Sequence, residues 1–414
     1  MPHPLVERLR ARGFVMPDYD GGGLLNVSAT VLDVLGARDA GDAPPLVGLD
    51  PKLREGVRQV VVILADGLGW WQLEMLCDQG HMPFLAGLRE RARRRDDAQL
   101  IEATTVFPST TAAAITTMNT ARTPLEHGNI AYFVWLEEFA QVTAMLRWGP
   151  AVKRRGSYFD DPAIDPLRFV LVPSIHARLR ERGIASYLVE PEIFRSEAMT
   201  RMHAAEATFL GYVVPSTMGV RLRGLLGAPR PSYVYAYWSG IDTVSHLYGP
   251  RSDEAAIEAS ILDISLRYAL ADRSGGDTLV IVTADHGHAT TDPDKMLDFV
   301  GDEDLRALLR NPPAGEPRLA FLHTDRPDQV REHIDRKWPG LVTLLDRDEL
   351  IDAGLFGRGD PIMARRRIGE VVALLDRDLS ASIVRVEGQT LRHRGSHGGM
   401  TADEMRIPVL AWRA

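Results

Sequence analysis

The sequence predicts a doubly wound α/β fold, with a mostly parallel sheet, helices on both of its faces and an inserted α+β cap. Three observations predict it. The runs VVVILA at 60–65, VYAY at 234–237 and TLVIVT at 278–283 are short, apolar at their centres and closed by turn or polar residues, as in strands buried on both faces. Helical apolar spacing recurs between them, for instance over 254–270, which points to strands alternating with helices. The runs also lead into residues that carry chemistry: Asp66, Asp242 and the pair Asp285-His286. Open parallel sheets bind ligands at the carboxyl ends of their strands.

The chain-wide properties narrow the function. The 414 residues are 45% apolar, enough for a large core and against wholesale disorder. A net charge of −8 argues against a nucleic-acid surface as the main role. No apolar run approaches the roughly 18 residues a membrane span needs. The stretch MPHPLVERLRARGF has no signal-peptide core, so the expected location is cytoplasmic. Cys77 is the only cysteine. It reads as a small buried hydrophobe, and it excludes a thiolate zinc cage. Any metal must be held by His and carboxylate.

Taken in order, 1–57 is a lead segment packing on the core, with a short helix over 26–35 and prolines before the first strand. Helical patterns follow at 71–76 and 82–94. The second ends in a basic run, Arg89 to Arg95, which reads as a solvated helix end. Ser109, Thr110 and Thr111 precede Ala112, Ala113 and Ala114, so a helix over 109–118 starts with three hydroxyls in its first turn. A helix N-terminus favours an anion such as phosphate. Residues 129–168 read as an irregular aromatic excursion with Tyr132, Trp148, Tyr158 and Phe159, either a pocket wall or lid or plain packing. A capped helix over 173–182, with His176 on its surface, leads to a strand at 185–189. Past 291 the character changes. Strands at 319–323, 341–345 and 371–375 and helices at 327–337 and 348–353 make 291–392 the α+β cap. The core is 58–290 plus 393–414, ending in a strand at 408–412.

Four places stand out: Asp66, the Ser109-Thr110-Thr111 helix start, Asp242 with His246, and Asp285-His286 with the distant His397. As ligands they give three Asp, three His and a hydroxyl, an oxygen and nitrogen set that suits two zinc-like ions. Two such ions roughly 4 Å apart clamp an in-line displacement at phosphorus. One would activate the threonine hydroxyl and the other a water.

This pattern resembles the alkaline phosphatase superfamily, and within it the nucleotide pyrophosphatase/type I phosphodiesterase branch. Asp242-x-x-x-His246 with Tyr248-Gly249-Pro250 resembles that branch's DxxxHxxGP segment, Thr283-Ala284-Asp285-His286-Gly287 its TSDHG, and His397-Gly398 its last HG. The resemblance implies one divalent ion, zinc or manganese, on Asp242, His246 and His397. It implies a second on Asp66, Asp285, His286 and the nucleophile. In the family the nucleophile stands nine residues before a T-G that closes its helix. Thr120-Ala121 fills that place, and the count gives Thr111, with Thr110 as runner-up. Aligning on Phe107-Pro108 would instead put Val106 there, which cannot do the chemistry. The family's phosphate-binding Asn has no clear equivalent: Asn129 comes early and Tyr132 holds its place, so the Thr111 N–H is the alternative oxyanion donor. His288 reads as supporting the metal residues and His127 as a turn residue. His3, His81, His203, His323, His333 and His393 are assigned no function. The resemblance implies a hydrolase of phosphate esters acting through phospho-Thr111, on a small phosphodiester or nucleotide pyrophosphate. The alternatives are a phosphomonoesterase, a phosphonoacetate-type C–P hydrolase, or a non-catalytic interaction protein on the same fold.

Overall fold

The structure, a computed structural model, describes residues 3–94, 97–154, 156–158, 167, 169–170 and 172–414. Arg95 and Phe159 lie outside the described residues. The core is a seven-stranded sheet. Its central strand, Gln59–Ala65, is fully buried and runs parallel to Ser232–Trp238 on one side and Thr278–Thr283 on the other. Beyond Ser232–Trp238 lie the parallel strands Ala185–Val189 and Thr208–Phe209. Beyond Thr278–Thr283, Arg406–Arg413 pairs antiparallel and carries Ala98–Thr104 on its other side. The doubly wound, mostly parallel α/β class is therefore the one observed. Burial on both faces explains the unbroken apolar runs, since no face of these strands meets water.

A second seven-stranded sheet is antiparallel and crosses the sequence boundaries. Leu319–Leu322, Val342–Asp346 and Val371–Leu375 pair with one another, and Leu319–Leu322 also pairs with Ala314–Glu316. Ala314–Glu316 in turn meets Phe133–Leu136, which continues through Gln141–Ala144 to Gly149–Pro150. The expectation of an irregular stretch at 129–168 is thus corrected for 133–150. These strands are too short to stand out, and a partner more than 150 residues away completes them. Arg318 and Glu404, both fully buried, join the second sheet to the core in a two-pronged ion pair of 2.7 and 3.1 Å.

Two further expectations are corrected. His176 is buried rather than on the surface: the helix Ile175–Glu181 turns it inward, where Nε2 lies 3.2 Å from Asn119 Oδ1. Arg89 is not solvated; it is 5% exposed and bonds Asp78 at 2.6 Å from inside the helix packing. Cys77 is buried, as expected.

Candidate active site

Register sets the site. Ala65 lies opposite Trp238, and Leu64 opposite Thr283, so the three strands end together. The residues that follow them must share one edge. Gly67 makes the close approach there: its φ is +76°, and a Cβ would come within 2.9 Å of His288 and 3.1 Å of the Asp242 backbone. The helix Gly240–Tyr248 starts at that edge, with Asp242 in its first turn and His246 one turn later on the same face. His397 arrives with the returning chain, where Ala289–Thr290 pairs with Gly395–Ser396.

Two groups of side chains converge. In the first, His286 Nε2 lies 3.5 Å from Asp66 Oδ1, 3.4 Å from Asp285 Oδ2 and 3.0 Å from Thr111 Oγ1. In the second, Asp242 Oδ1 lies 2.8 Å from His288 Nε2, 3.4 Å from His246 Nε2 and 3.7 Å from His397 Nε2. The ligand atoms of Asp66, Asp285 and His286 lie within 4.8 Å of one another, as do those of Asp242, His286, His288 and His397. His288 is therefore closer to the Asp242 carboxylate than its sequence position indicated. His393, assigned no function, stacks its ring centroid 4.5 Å from that of His246.

The donor set fits divalent metal. Asp66 Oδ1 and Asp285 Oδ2 are buried and have no hydrogen-bond partner among the described residues. Such orphaned carboxylate oxygens are costly unless a cation meets them. Their other oxygens are held: Tyr237 O–H donates to Asp66 Oδ2, and the Gly67 and His286 N–H groups donate to Asp285 Oδ1. His246, His286 and His397 each turn Nδ1 to a backbone carbonyl, at 2.8, 3.1 and 2.9 Å, which leaves Nε2 with its lone pair free. Burial, with Asp285 and Asp242 nearby, pushes the Asp66 carboxyl well above the ordinary range. At Asp242 burial works in the same direction, but His246, His288 and His397 overcome it and hold its carboxyl well below. Burial and the neighbouring rings of His286 and His246 hold His397 well below an ordinary imidazole.

Thr111 opens the helix Thr111–Thr120, and no side chain caps that helix, so its first N–H groups face the site. The helix closes at Ala121 with φ +54°, a left-handed turn that usually takes glycine. That agrees with the reading of Thr120-Ala121 as the closing pair. Ser109 is occupied elsewhere: its hydroxyl donates to Gly399 O at 2.8 Å and accepts from Gly398 N. Asn129 is fully buried under the helix, with Nδ2 donating to Ala112 O and Thr116 Oγ1. Glu316, on the second sheet, accepts from Tyr132 N at 2.6 Å and packs where a Cβ on Gly398 would lie.

Beside Thr111 opens a cavity of about 280 Å³. Ile115, Tyr132, Leu188, Phe194 and Met199 give it an apolar wall. Glu190, Glu197, Thr200, His203 and Arg147 add polar groups. Sequence reading passed over Glu190 and His203. Glu190 had a signal, since it directly follows the strand Ala185–Val189, as Asp66 follows its own. His203 had none.

The comparisons agree with this architecture. The model of the type I phosphodiesterase/nucleotide pyrophosphatase family matches residues 60–164 and 180–400. No curated protein matches the chain by sequence. Among solved structures, murine ectonucleotide pyrophosphatase/phosphodiesterase 5 superposes with a TM-score of 0.60 at 17% identity, over 85% of this chain and 87% of that one. An inactive threonine-to-alanine variant of the murine protein, in complex with AMP, gives 0.59 at 16%, over 86% and 88%. Phosphonoacetate hydrolase from Sinorhizobium meliloti 1021, in complex with phosphonoformate, gives 0.61 at 17%, over 85% and 89%. At this identity the neighbours share the fold. By the family model, the chain belongs to the type I phosphodiesterase/nucleotide pyrophosphatase family of phosphoester hydrolases.

Proposed function

We propose that the protein is a two-metal hydrolase that cleaves phosphodiesters or nucleotide pyrophosphates through a phospho-Thr111 intermediate. The observation that carries this reading is the convergence of Thr111 Oγ1 on His286 Nε2, beside the two unpartnered carboxylate oxygens of Asp66 and Asp285. Asp66, Asp285, His286 and Thr111 would hold one divalent ion. Asp242, His246 and His397 would hold the other, with His288 close enough to Asp242 to join or orient that set. Bound ions would supply Lewis acidity, lowering the pKa of the hydroxyl and of water and screening phosphoryl charge.

The chain's own residues supply the rest. Thr111 Oγ1 gives its proton to solvent and attacks phosphorus in line. The O–P bond forms as the bond to the leaving alcohol or phosphate breaks, and that group departs with the electron pair. Water then attacks the phospho-threonine from the vacated side and restores the hydroxyl. The uncapped helix start presents the Thr111 N–H to the developing oxyanion. Asn129, committed to the helix above it, does not take this role.

Two relatives bear on the reading. The murine neighbour's threonine-to-alanine variant is described as inactive and binds AMP, which supports a threonine nucleophile and a nucleotide-like ester. The phosphonoacetate hydrolase neighbour keeps C–P cleavage as the alternative. The cavity beside Thr111 favours the ester reading, because it provides apolar room for an organic group that a small phosphonate would leave unfilled. The test is hydrolysis of bis(4-nitrophenyl) phosphate, 4-nitrophenyl phosphate and phosphonoacetate by chelated protein before and after adding zinc or manganese. Metal-dependent release of nitrophenol from the diester, faster than from the monoester, is expected. Release of phosphate from phosphonoacetate alone would replace this reading with the C–P one.

A further inference from the structure

The cavity beside Thr111 holds a carboxylate that the phosphoryl chemistry does not use. Glu190 is 7% exposed and follows the core strand Ala185–Val189, so it stands at the same carboxyl edge as Asp66, two strands away. Among the described residues its side chain has one hydrogen bond, a 3.3 Å contact donated by the Thr200 hydroxyl to Oε2. Among the described residues no cation forms an ion pair with it. Burial pushes its carboxyl up to about 7, the mark of an acceptor group taken out of water without a matching donor. A second observation points the same way. His203 lines the same cavity at 2% exposure, and its Nε2 has no hydrogen-bond partner. Burial holds this imidazole down to about 3, so it is neutral at working pH. Glu197, half-buried at the start of the helix Ala198–Ala204, adds a second carboxylate to the wall. Ile115, Leu188, Phe194 and Met199 give the same cavity apolar lining.

A largely apolar cavity that also holds a buried carboxyl and a buried neutral imidazole selects its occupant. A wholly apolar group would leave Glu190 and His203 unpaired, which costs free energy. At Glu190 a phosphate or carboxylate would meet like charge wherever that carboxyl is ionised, while Arg147, the cation in the lining, has both terminal nitrogens on the Lys153 and Pro150 carbonyls. We propose that this cavity receives the esterified organic group of the substrate, and that Glu190 selects a group with an apolar body ending in an N–H donor, either an ammonium or an exocyclic amine. The proposal rests on the hydrolase reading above, and Glu190 is its specificity-determining residue.

The test uses the metal-loaded full chain and four 4-nitrophenyl phosphodiesters, whose second ester group is 6-aminohexyl, adenosine-5′, hexyl or phenyl. Calorimetric binding of 6-aminohexyl phosphate and hexyl phosphate is a readout that needs no turnover. At least one of the two donor-bearing esters should exceed hexyl and phenyl in kcat/KM by about tenfold or more, the scale of one hydrogen bond to a charged group. Glu190→Leu, which removes the acceptor, should erase that preference through KM. The aminohexyl and adenosine arms tell the ammonium from the exocyclic amine. Glu197→Gln, at a half-exposed position, should weaken the same preference with little effect on folding. Equal kcat/KM for all four esters, or a preference that survives in Glu190→Leu, overturns the proposal. Should no ester be hydrolysed while 6-aminohexyl phosphate still binds more tightly than hexyl phosphate in a Glu190-dependent way, the hydrolase reading falls and the cavity assignment stands.

Discussion

The metal-side edge and the cavity wall border the same threonine, yet they are built differently. The side proposed to hold metal is made mostly of residues that closely follow buried parallel strands or lie in the first turns of the next helix, Asp66, Asp242, His246, Asp285 and His286, with His397 brought in by the returning chain. Their positions are fixed by strand register. The cavity wall is assembled from Tyr132, ahead of a strand of the second sheet, from Glu190 and Phe194 after another core strand, and from Met199 and His203 on a later helix. One side can be shared by any enzyme with this chemistry. The other differs wherever loops and inserted strands differ. Substitutions on the metal side should slow every substrate alike, and substitutions on the wall should reorder substrates.

The largest effect should come from Thr111. Thr111→Ala should lower kcat by at least about 10³-fold on every ester tried, a loss of roughly 4 kcal/mol of transition-state stabilisation. Thr111→Ser keeps a hydroxyl and should stay measurably active, while Thr110→Ala should cost far less. A loss confined to some esters would move Thr111 to the wall side of the comparison. Metal removal comes next. Chelation should abolish turnover of all esters together, and elemental analysis of reloaded protein should find close to two ions per chain. Asp242→Ala combined with His246→Ala should leave about one. Trace metal in active protein would break the two-metal account.

These two regions were not equally legible in the sequence. Buried parallel strands announce themselves as unbroken apolar runs, because both faces are covered, and the Asp and His residues behind them fall in motif order. Hence 60–65 and 278–283 could be read almost to their ends, as could the helix of 327–337 and the strand of 371–375. The strands at 133–150 were missed because pairing with Ala314–Glu316, not local propensity, makes them strands. His176 misled for a related reason: periodicity places it on a helix face, and only tertiary packing decides that this face is inward. Ser109, Thr110 and Thr111 read alike as hydroxyls at a helix start. What separates them is three-dimensional, since Ser109 bonds Gly398 and Gly399 while Thr111 meets His286.

The seam between the two sheets gives smaller, sharper tests. Arg318→Ala strands the fully buried Glu404 carboxylate, which should cost about 3–5 kcal/mol of stability in denaturant unfolding. A cost under about 1 kcal/mol, typical of exposed pairs, would mean the second sheet is not tied to the core through this bridge. Glu316 should give an effect visible only against pH. Burial pushes its carboxyl up to about 8, from an ordinary 4.5. The folded state therefore keeps Glu316 protonated over a range in which the unfolded chain ionises, so its contribution to stability falls as pH rises from 4.5 to 8. Glu316→Gln removes that ionisation and can still accept from Tyr132 N. The variant should gain on wild type between about pH 5 and pH 8, by roughly 1 kcal/mol per pH unit at most. Parallel stability curves would show that Glu316 titrates normally.

The central claim, that Thr111 carries the phosphoryl group, is tested most directly by acid quench of metal-loaded wild type during turnover of bis(4-nitrophenyl) phosphate, followed by peptide mass spectrometry. A nitrophenyl-phosphoryl adduct on Thr111, absent from Thr111→Ala and formed no faster than nitrophenol is released, is the predicted result. An adduct on Thr110, or full turnover by Thr111→Ala, would contradict it.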